Sequence, residues 1–351
     1  MRCKLANLVL IFSFSLVLSL PAICATDNWL LYVGNSKGNT VSVVDLATLK
    51  VIRDIPVGKN VHCVALTPDG RRLFTTSEID HTLIISDTTT EKMIGTVKLP
   101  GKPNQCAVTP DGHYVTVPIR DGDSVAIIDV PQQKIVKVLP IKEPHNSVNM
   151  GSNRYTFVSS MGGHEIDVVD FEKMDYSAHI PSGGRTRPFI LSKDGRTMYV
   201  AVSDLHGFEV VDMADKKVNE RVEMPSVNPG PARPRQFETP DTLTHGLALT
   251  PDESELWVTS MLDDGIYFYD LKSKKFTGHL PTGDGPNWVV FSPDGKLAAV
   301  SNTDSDDVAI FDVKGHREVS RVKVGRVPKR IAIAIAPTGS TAQALSPSTP
   351  K

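Results

Sequence analysis

The chain has 351 residues, of which 38 are Lys or Arg and 40 are Asp or Glu, for a formal net charge of -2. So even a balance provides no general field for nucleic acid or an anionic membrane surface, and neither is expected as a partner. Length alone would suggest two domains, but an internal repeat that fills most of the chain argues for one closed unit.

The chain begins with Arg2 and Lys4, an uncharged stretch over 5–20, and the small residues of Pro21-Ala-Ile-Cys-Ala25. That order predicts a secretory signal peptide cleaved near residue 25. An uncleaved anchor is the alternative, although 16 residues are few against the roughly 20 needed to span a bilayer. A lipoprotein anchor on Cys24 is a third option, weakened by Ile23 where a small residue is expected. The mature chain is therefore expected to be periplasmic or secreted, with no transmembrane domain.

Residues 30–35 alternate as a strand, 36–39 form a turn, and a short apolar strand then closes on Asp45. That closing strand recurs, ending on Asp87, Asp129, Asp170, Asp212, Asp270 and Asp312, at separations of 42, 42, 41, 42, 58 and 42 residues. A period of about 40–45 residues made of several short strands marks a propeller blade. Turn tetrads keep phase with it: Thr67-Pro-Asp-Gly70, Thr109-Pro-Asp-Gly112, Ser192-Lys-Asp-Gly195, Thr250-Pro-Asp-Glu253 and Ser292-Pro-Asp-Gly295. The repeat aspartates are read as strand-end residues that accept turn amide hydrogens.

The first unit supplies three strands, and Ile331-Ala-Ile-Ala-Ile335 supplies a lone strand at the far end. The expected fold is all-β, a seven-bladed β-propeller of four-stranded antiparallel blades over 26–339, closed by the C-terminal strand completing blade one. The 58-residue spacing places an insertion over 226–241, between blades five and six, with Pro229, Pro231, Pro234 and Pro240. Such a loop is a semi-rigid wall on which specificity is commonly carried. Residues 340–351 are expected to be a disordered tail. Cys63 and Cys106 lie one residue out of register in the first strands of adjacent blades. Burial as free thiols is the expected state, with a bridge as the alternative.

At Leu31-Tyr-Val-Gly-Asn35, Thr40-Val-Ser-Val-Val-Asp45 and the Pro-Asp-Gly turns, the sequence resembles the YVTN family of β-propeller repeat proteins over roughly 30–339. The Trp-Asp dipeptide of WD40 repeats is absent from this pattern. The resemblance implies the fold. It also implies relatives among surface and periplasmic proteins, lactonase-like hydrolases, and the propeller domains of nitrous oxide reductase and haem d1 proteins, with no catalytic set that carries over by position.

Counting six residues back from the proline position of each turn gives His62, Asn104, His145, Arg187, His245 and Asn287, with Lys329 or Arg330 from the closing strand. These polar residues are expected around the mouth of the central channel. Three imidazoles, His62, His145 and His245, form a candidate site for one divalent or transition metal ion. The ring is equally a candidate anion site, because Arg187 and Lys329 or Arg330 bring positive charge to it. The loops between second and third strands add His81, Arg120, His164, Asp204, His206, Asp263 and Asp264 to the same face. Nucleophile elbows, phosphate-cradling Gly-rich loops and haem-attachment motifs are missing. The expected function is a binding module holding a small molecule or a periplasmic protein partner. The alternatives are a metal-dependent hydrolase, lyase or oxidoreductase, and an accessory protein of a periplasmic redox system.

Overall fold

The computed structural model describes residues 29–203, 205–226 and 242–337. Within them, seven separate four-stranded antiparallel sheets stand in a ring. Six blades follow the chain from the innermost to the outermost strand, starting at Val61–Leu66, Ala107–Val108, Pro144–Val148, Thr186–Leu191, Thr244–Leu249 and Pro286–Phe291. Blade one is composite. Its innermost strand, Pro328–Ile335, pairs with Trp29–Asn35 from the other end of the chain, in a register running from Trp29↔Ile335 to Asn35↔Pro328. The ring is thus closed by main-chain hydrogen bonds between the two ends, which covers the edge that Trp29–Asn35 would otherwise expose. Among the described residues, no helix is long and apolar enough to cross a membrane. The signal segment, Asp204, the inserted loop beyond Ser226 and the tail from 340 lie outside the described residues.

Side chains alternate across a strand, so each blade presents one apolar face forward and one backward around the ring. Each of the seven junctions is filled by one apolar cluster. Ile166 and Val168 meet Phe189 and Val200 of blade five, for example, while Val169 meets Val125 and Leu139 of blade three. Outermost strands are half solvated: over Asp175–Pro181, Ile180 is the one buried residue.

The turns follow their chemistry. Asp69 Oδ1 accepts from the Thr67 hydroxyl at 2.5 Å and from the Arg71 amide at 3.0 Å, while Gly70 takes φ 67°. Where the fourth tetrad ends in Glu253, the same left-handed conformation is held at φ 54° without glycine. Six of the repeat aspartates accept amide hydrogens from the turn that follows, as Asp45 does from Ala47 at 2.8 Å. The seventh, Asp312, is met by Arg317 Nε at 3.1 Å.

One expectation is corrected. Cys63 and Cys106 form a disulfide, with Cα atoms 5.5 Å apart. Two cysteines at the same repeat position would point the same way around the ring. Because side chains alternate, an offset of one residue turns Cys63 toward blade three and Cys106 back toward blade two, and both sit in the same junction cluster. The offset is what a bridge between neighbouring blades requires.

This bridge closes a loop with a sequence separation of 43. Replacing both cysteines with serine should lower the unfolding free energy by about 2–4 kcal/mol. Urea titration of wild type and the double variant measures it, and recovery of both residues as free thiols from the native protein would contradict the bridge.

Candidate functional site

Each innermost strand carries one extra residue at the same place. In blade two the pairing steps from Val61↔Ser77 to Val64↔Thr75, three residues against two. The same slip brackets His145 (Pro144↔Ser160, Ser147↔Val158), Arg187 (Thr186↔Val202, Phe189↔Val200) and His245 (Thr244↔Ser260, Leu247↔Val258). It also brackets Asn287 and the Lys329-Arg330 pair. In blade three the strand is reduced to Ala107–Val108, and Asn104 falls between that strand and an isolated bridge at Pro103↔Ile119. A bulge re-aims a side chain and leaves one amide outside the ladder.

In four blades that amide is satisfied by the second strand. Thr76 Oγ1 accepts from Cys63 N at 3.0 Å, Ser159 Oγ from Asn146 N at 2.8 Å, Thr259 Oγ1 from Gly246 N at 2.7 Å, and Ser301 Oγ from Trp288 N at 3.2 Å. Blade five has Ala201 at this position, and there the bulged residue is Pro188, which has no N–H to satisfy. In blade three the Asn104 side chain itself accepts from Gln105 N at 2.8 Å. Gly246 also allows close approach, since a Cβ there would fall 2.8 Å from the Asn287 carbonyl oxygen.

The bulges direct His62, His145, Arg187, His245, Asn287, Lys329 and Arg330 into one cavity of about 470 Å³, whose wall also contains Arg120. Asn104 is buried beside it, with its carbonyl accepting from the Thr76 hydroxyl at 3.1 Å. The other described loop candidates lie outside this wall. His164 is exposed, with φ 55°, and His81 occupies the equivalent turn at φ 49°. His206 Nε2 pairs with Ser260 Oγ at 2.8 Å and lies 3.4 Å from Asp263, while Asp264 accepts from Gly285 N at 2.9 Å.

The wall is cationic. Lys102, Arg120, Arg187, Lys329 and Arg330 outnumber the carboxylates Glu78 and Asp121. Arg330 is 1% exposed, and its guanidinium lies 4.1 Å above the Trp288 ring. It donates from Nη1 to Asn287 Oδ1 and from Nη2 to Asn146 Oδ1, each at 3.2 Å, whereas Nε has no partner among the described residues. No carboxylate among the described residues forms an ion pair with it. Burial lowers Arg330 to about 9, which leaves it a cation at neutral pH, and burial lowers Lys329 to about 8 despite the opposing pull of Glu78.

The imidazoles are held neutral. Burial, against the pull of Glu78, brings His62 down to about 4, and burial together with Arg187 and Arg330 holds His145 and His245 well below their ordinary value. His62 Nδ1–H donates to Glu78, whose other oxygen accepts from Asn60. Burial pushes the Glu78 carboxyl up, but the His62 ring, Lys329 and Lys102 outweigh it and bring the group to about 2. His245 Nδ1–H donates to the Asn287 carbonyl at 2.8 Å, and the His145 and His245 rings meet edge to face with centroids 6.0 Å apart. His62, His145 and His245 line the same cavity, but their ring nitrogens do not all lie within 4.8 Å of one another. Among the described residues, the one group of three side chains with ligand atoms within 4.8 Å of each other is Glu165, Asp167 and His179 on blade four. At the mouth, His62 and His245 each donate Nδ1–H to a neighbour and keep Nε2.

Glu78, Asn60, Asn146 and Trp288 complete the site and were missed in the sequence. Glu78 directly follows a second strand, the position that Arg120 holds in blade three. Asn146 and Trp288 are the bulged residues immediately after His145 and Asn287, so in blades four and seven the bulge contributes two residues to the site.

Fold and cavity together define a seven-bladed β-propeller with a cationic, histidine-lined mouth. The chain belongs to the lactonase seven-bladed β-propeller family, whose model matches residues 30–326. It is 24% identical over 299 residues to protein NirF of Stutzerimonas stutzeri, covering 78% of this chain and 72% of that protein. Over 152 residues it is 27% identical to antigen Lp49 of Leptospira interrogans, covering 41% of this chain but only 30% of the antigen's length. Among solved structures, the periplasmic gluconolactonase PpgL of Pseudomonas aeruginosa matches with a TM-score of 0.68 at 21% identity, covering 88% of this chain and 99% of that one. Dihydro-heme d1 dehydrogenase NirN in complex with DHE matches at 0.61 and 18%, covering 90% and 77%. At these identities the structural likeness shows the fold.

Two stability measurements follow from the bulges and the neutral imidazoles. Thr259→Val strands the buried Gly246 amide and should cost about 1–3 kcal/mol in urea unfolding; an unchanged midpoint would refute its bulge-supporting role. The folded state cannot take up the protons that unfolded histidines bind near pH 6.5. Stability should therefore fall as pH drops from about 6.5 toward 4, with a slope of up to about 1.4 kcal/mol per pH unit for each buried histidine. His145→Gln should flatten that slope, and equal unfolding midpoints at pH 7.5 and 5 would contradict it.

Proposed function

We propose that this chain is an extracytoplasmic binding propeller that seats the carboxylate of a small organic anion at its mouth, against Arg330 with Arg187 and Lys329 beside it. The carrying observation is Arg330. It is a buried guanidinium with an unpartnered Nε, and its recorded hydrogen-bond acceptors are amide oxygens and its stacking partner an indole. A buried cation without a counter-charge is costly alone and strongly favours a desolvated anion. Asn146 Nδ2, also buried without a partner among the described residues, adds a donor beside Arg330.

The Cys63–Cys106 disulfide fits an oxidising compartment, and the fold shared with a protein described as a periplasmic gluconolactonase agrees with that location. Similarity to NirF, and the fold shared with NirN in complex with DHE, make a tetrapyrrole carboxylate the first ligand to test and an accessory role beside a redox system its natural setting. Sugar acids are the second ligand class to test.

A second, enzymatic reading rests on His62. Its Nδ1–H is held by Glu78, which leaves Nε2 as the proton acceptor of a carboxylate–histidine pair suited to general-base work. On that reading His62→Gln abolishes turnover of a bound lactone or macrocycle and leaves its binding intact.

Quenching of Trp288 fluorescence by a porphyrin dicarboxylate and by its dimethyl ester tests the binding reading. The diacid should bind at least about tenfold more tightly, and Arg330→Gln should weaken it by a similar factor or more. Affinity should decline as pH rises through about 8, where Lys329 loses its proton. Equal binding of acid and ester, unchanged in a folded Arg330→Gln variant, would overturn the reading.

A further inference from the structure

Blade four carries a polar cluster that is separate from the mouth. Glu165 and Asp167 lie on the same face of its third strand, Glu165–Asp170, and His179 lies on the outermost strand, Asp175–Pro181, directly opposite Asp167 in the register. Their ligand atoms all fall within 4.8 Å of one another. His179 Nδ1 is 2.5 Å from Asp167 Oδ1 and 4.0 Å from Glu165 Oε2.

Asp167 is only 2% exposed. By alternation it points toward blade three, as Val169 does in the junction with Leu139 and Ile141. The corresponding positions of four other blades hold Ser42, Ile84, Ala126 and Ala309. Blade five also has a buried carboxylate there, Glu209, but it is met by Ser182 Oγ at 2.7 Å, Gly183 N at 2.9 Å and Arg221 Nε at 3.6 Å. Asp167 has the His179 ring as its one recorded partner, and the same ring is the one recorded cation partner of Glu165. No lysine or arginine among the described residues forms an ion pair with either carboxylate. A buried carboxylate needs a cation or several donors. One imidazole shared between two carboxylates supplies neither in full.

We propose that Glu165, Asp167 and His179 bind one divalent transition-metal ion of the Zn2+ class on the wall of blade four. The protein ligands are His179 Nδ1 and one oxygen from each carboxylate, a mixed nitrogen and oxygen set suited to borderline ions. On binding, the Nδ1 proton moves to the other ring nitrogen or to solvent, and the Nδ1 lone pair goes to the ion. His179 is 56% exposed and Glu165 34%, so water has access to the remaining coordination positions. The ion would clamp the third and outermost strands at their register pair, and the site stands whether or not the mouth binds an anion.

Isothermal titration of chelator-treated mature protein with ZnCl2, alongside visible spectra with CoCl2, tests this. One equivalent should bind, and Asp167→Asn, Glu165→Gln and His179→Gln should each weaken binding by more than about tenfold. Glu165 and His179 face solvent, so their variants report even if Asp167→Asn fails to fold, with circular dichroism as the check on folding. The combined His62→Gln/His145→Gln/His245→Gln variant should retain the ion. Absence of saturable binding up to about 1 mM metal would overturn the proposal. So would unchanged binding in folded Glu165→Gln and His179→Gln variants, or loss of the ion in the mouth variant instead.

Discussion

The arrangement depends on one extra residue in each innermost strand. A regular strand would send alternate side chains into the two neighbouring junctions and leave the channel lined by whatever remained. The bulge breaks that alternation at one level of the ring, so a polar residue from each blade turns toward the axis while the residues on both sides continue to pack. Its requirement is local: a Ser or Thr on the second strand takes the displaced amide in four blades, and Pro188 removes the need for one where Ala201 stands. The same device that ends regular pairing therefore builds the mouth.

The consequences are electrostatic. Seating imidazoles and guanidiniums at one level, under a ring of apolar junctions, strips them of water. Burial favours the neutral form of His62, His145 and His245, whereas Arg330 retains its charge and stacks on Trp288. Glu78, held by the His62 ring, offsets part of the positive charge of Lys329 on one side of the cavity. The result is an asymmetric mouth with neutral hydrogen-bonding rings and, in Arg330, a buried cation that no carboxylate among the described residues pairs, an environment in which an anion gains more than it would in water.

The fold was legible because two signals, the strand ending in aspartate and the Pro-Asp-Gly turn, recur in phase and each reports a local rule of backbone geometry. The mouth residues could be counted from the turns because the bulge lies at a constant distance from them, even in blade four, where Met150-Gly-Ser152 replaces the usual turn. What sequence alone hid was direction. The one-residue offset of Cys63 and Cys106 was read as a mismatch, whereas the alternation of facing strands makes it a match. Asn146 and Trp288 escaped for a related reason: their roles come from a neighbour in another blade, and Asn146 meets Arg330 across 184 positions of chain, whereas Glu78 pairs with His62 of its own blade. Asp167 was hidden inside a repeat strand, since its chemistry shows only beside His179 and against the partners that Glu209 has in the next blade.

The central claim is that the bulged ring delivers a desolvated anion site, and a high-resolution crystal structure of the mature protein with a porphyrin dicarboxylate bound tests it most directly. The account predicts one ligand carboxylate inside the mouth, accepting a hydrogen bond from Arg330 Nε with His145 and His245 alongside. A ligand held on the opposite face or on the outer wall, with the Arg330 guanidinium untouched, would contradict it.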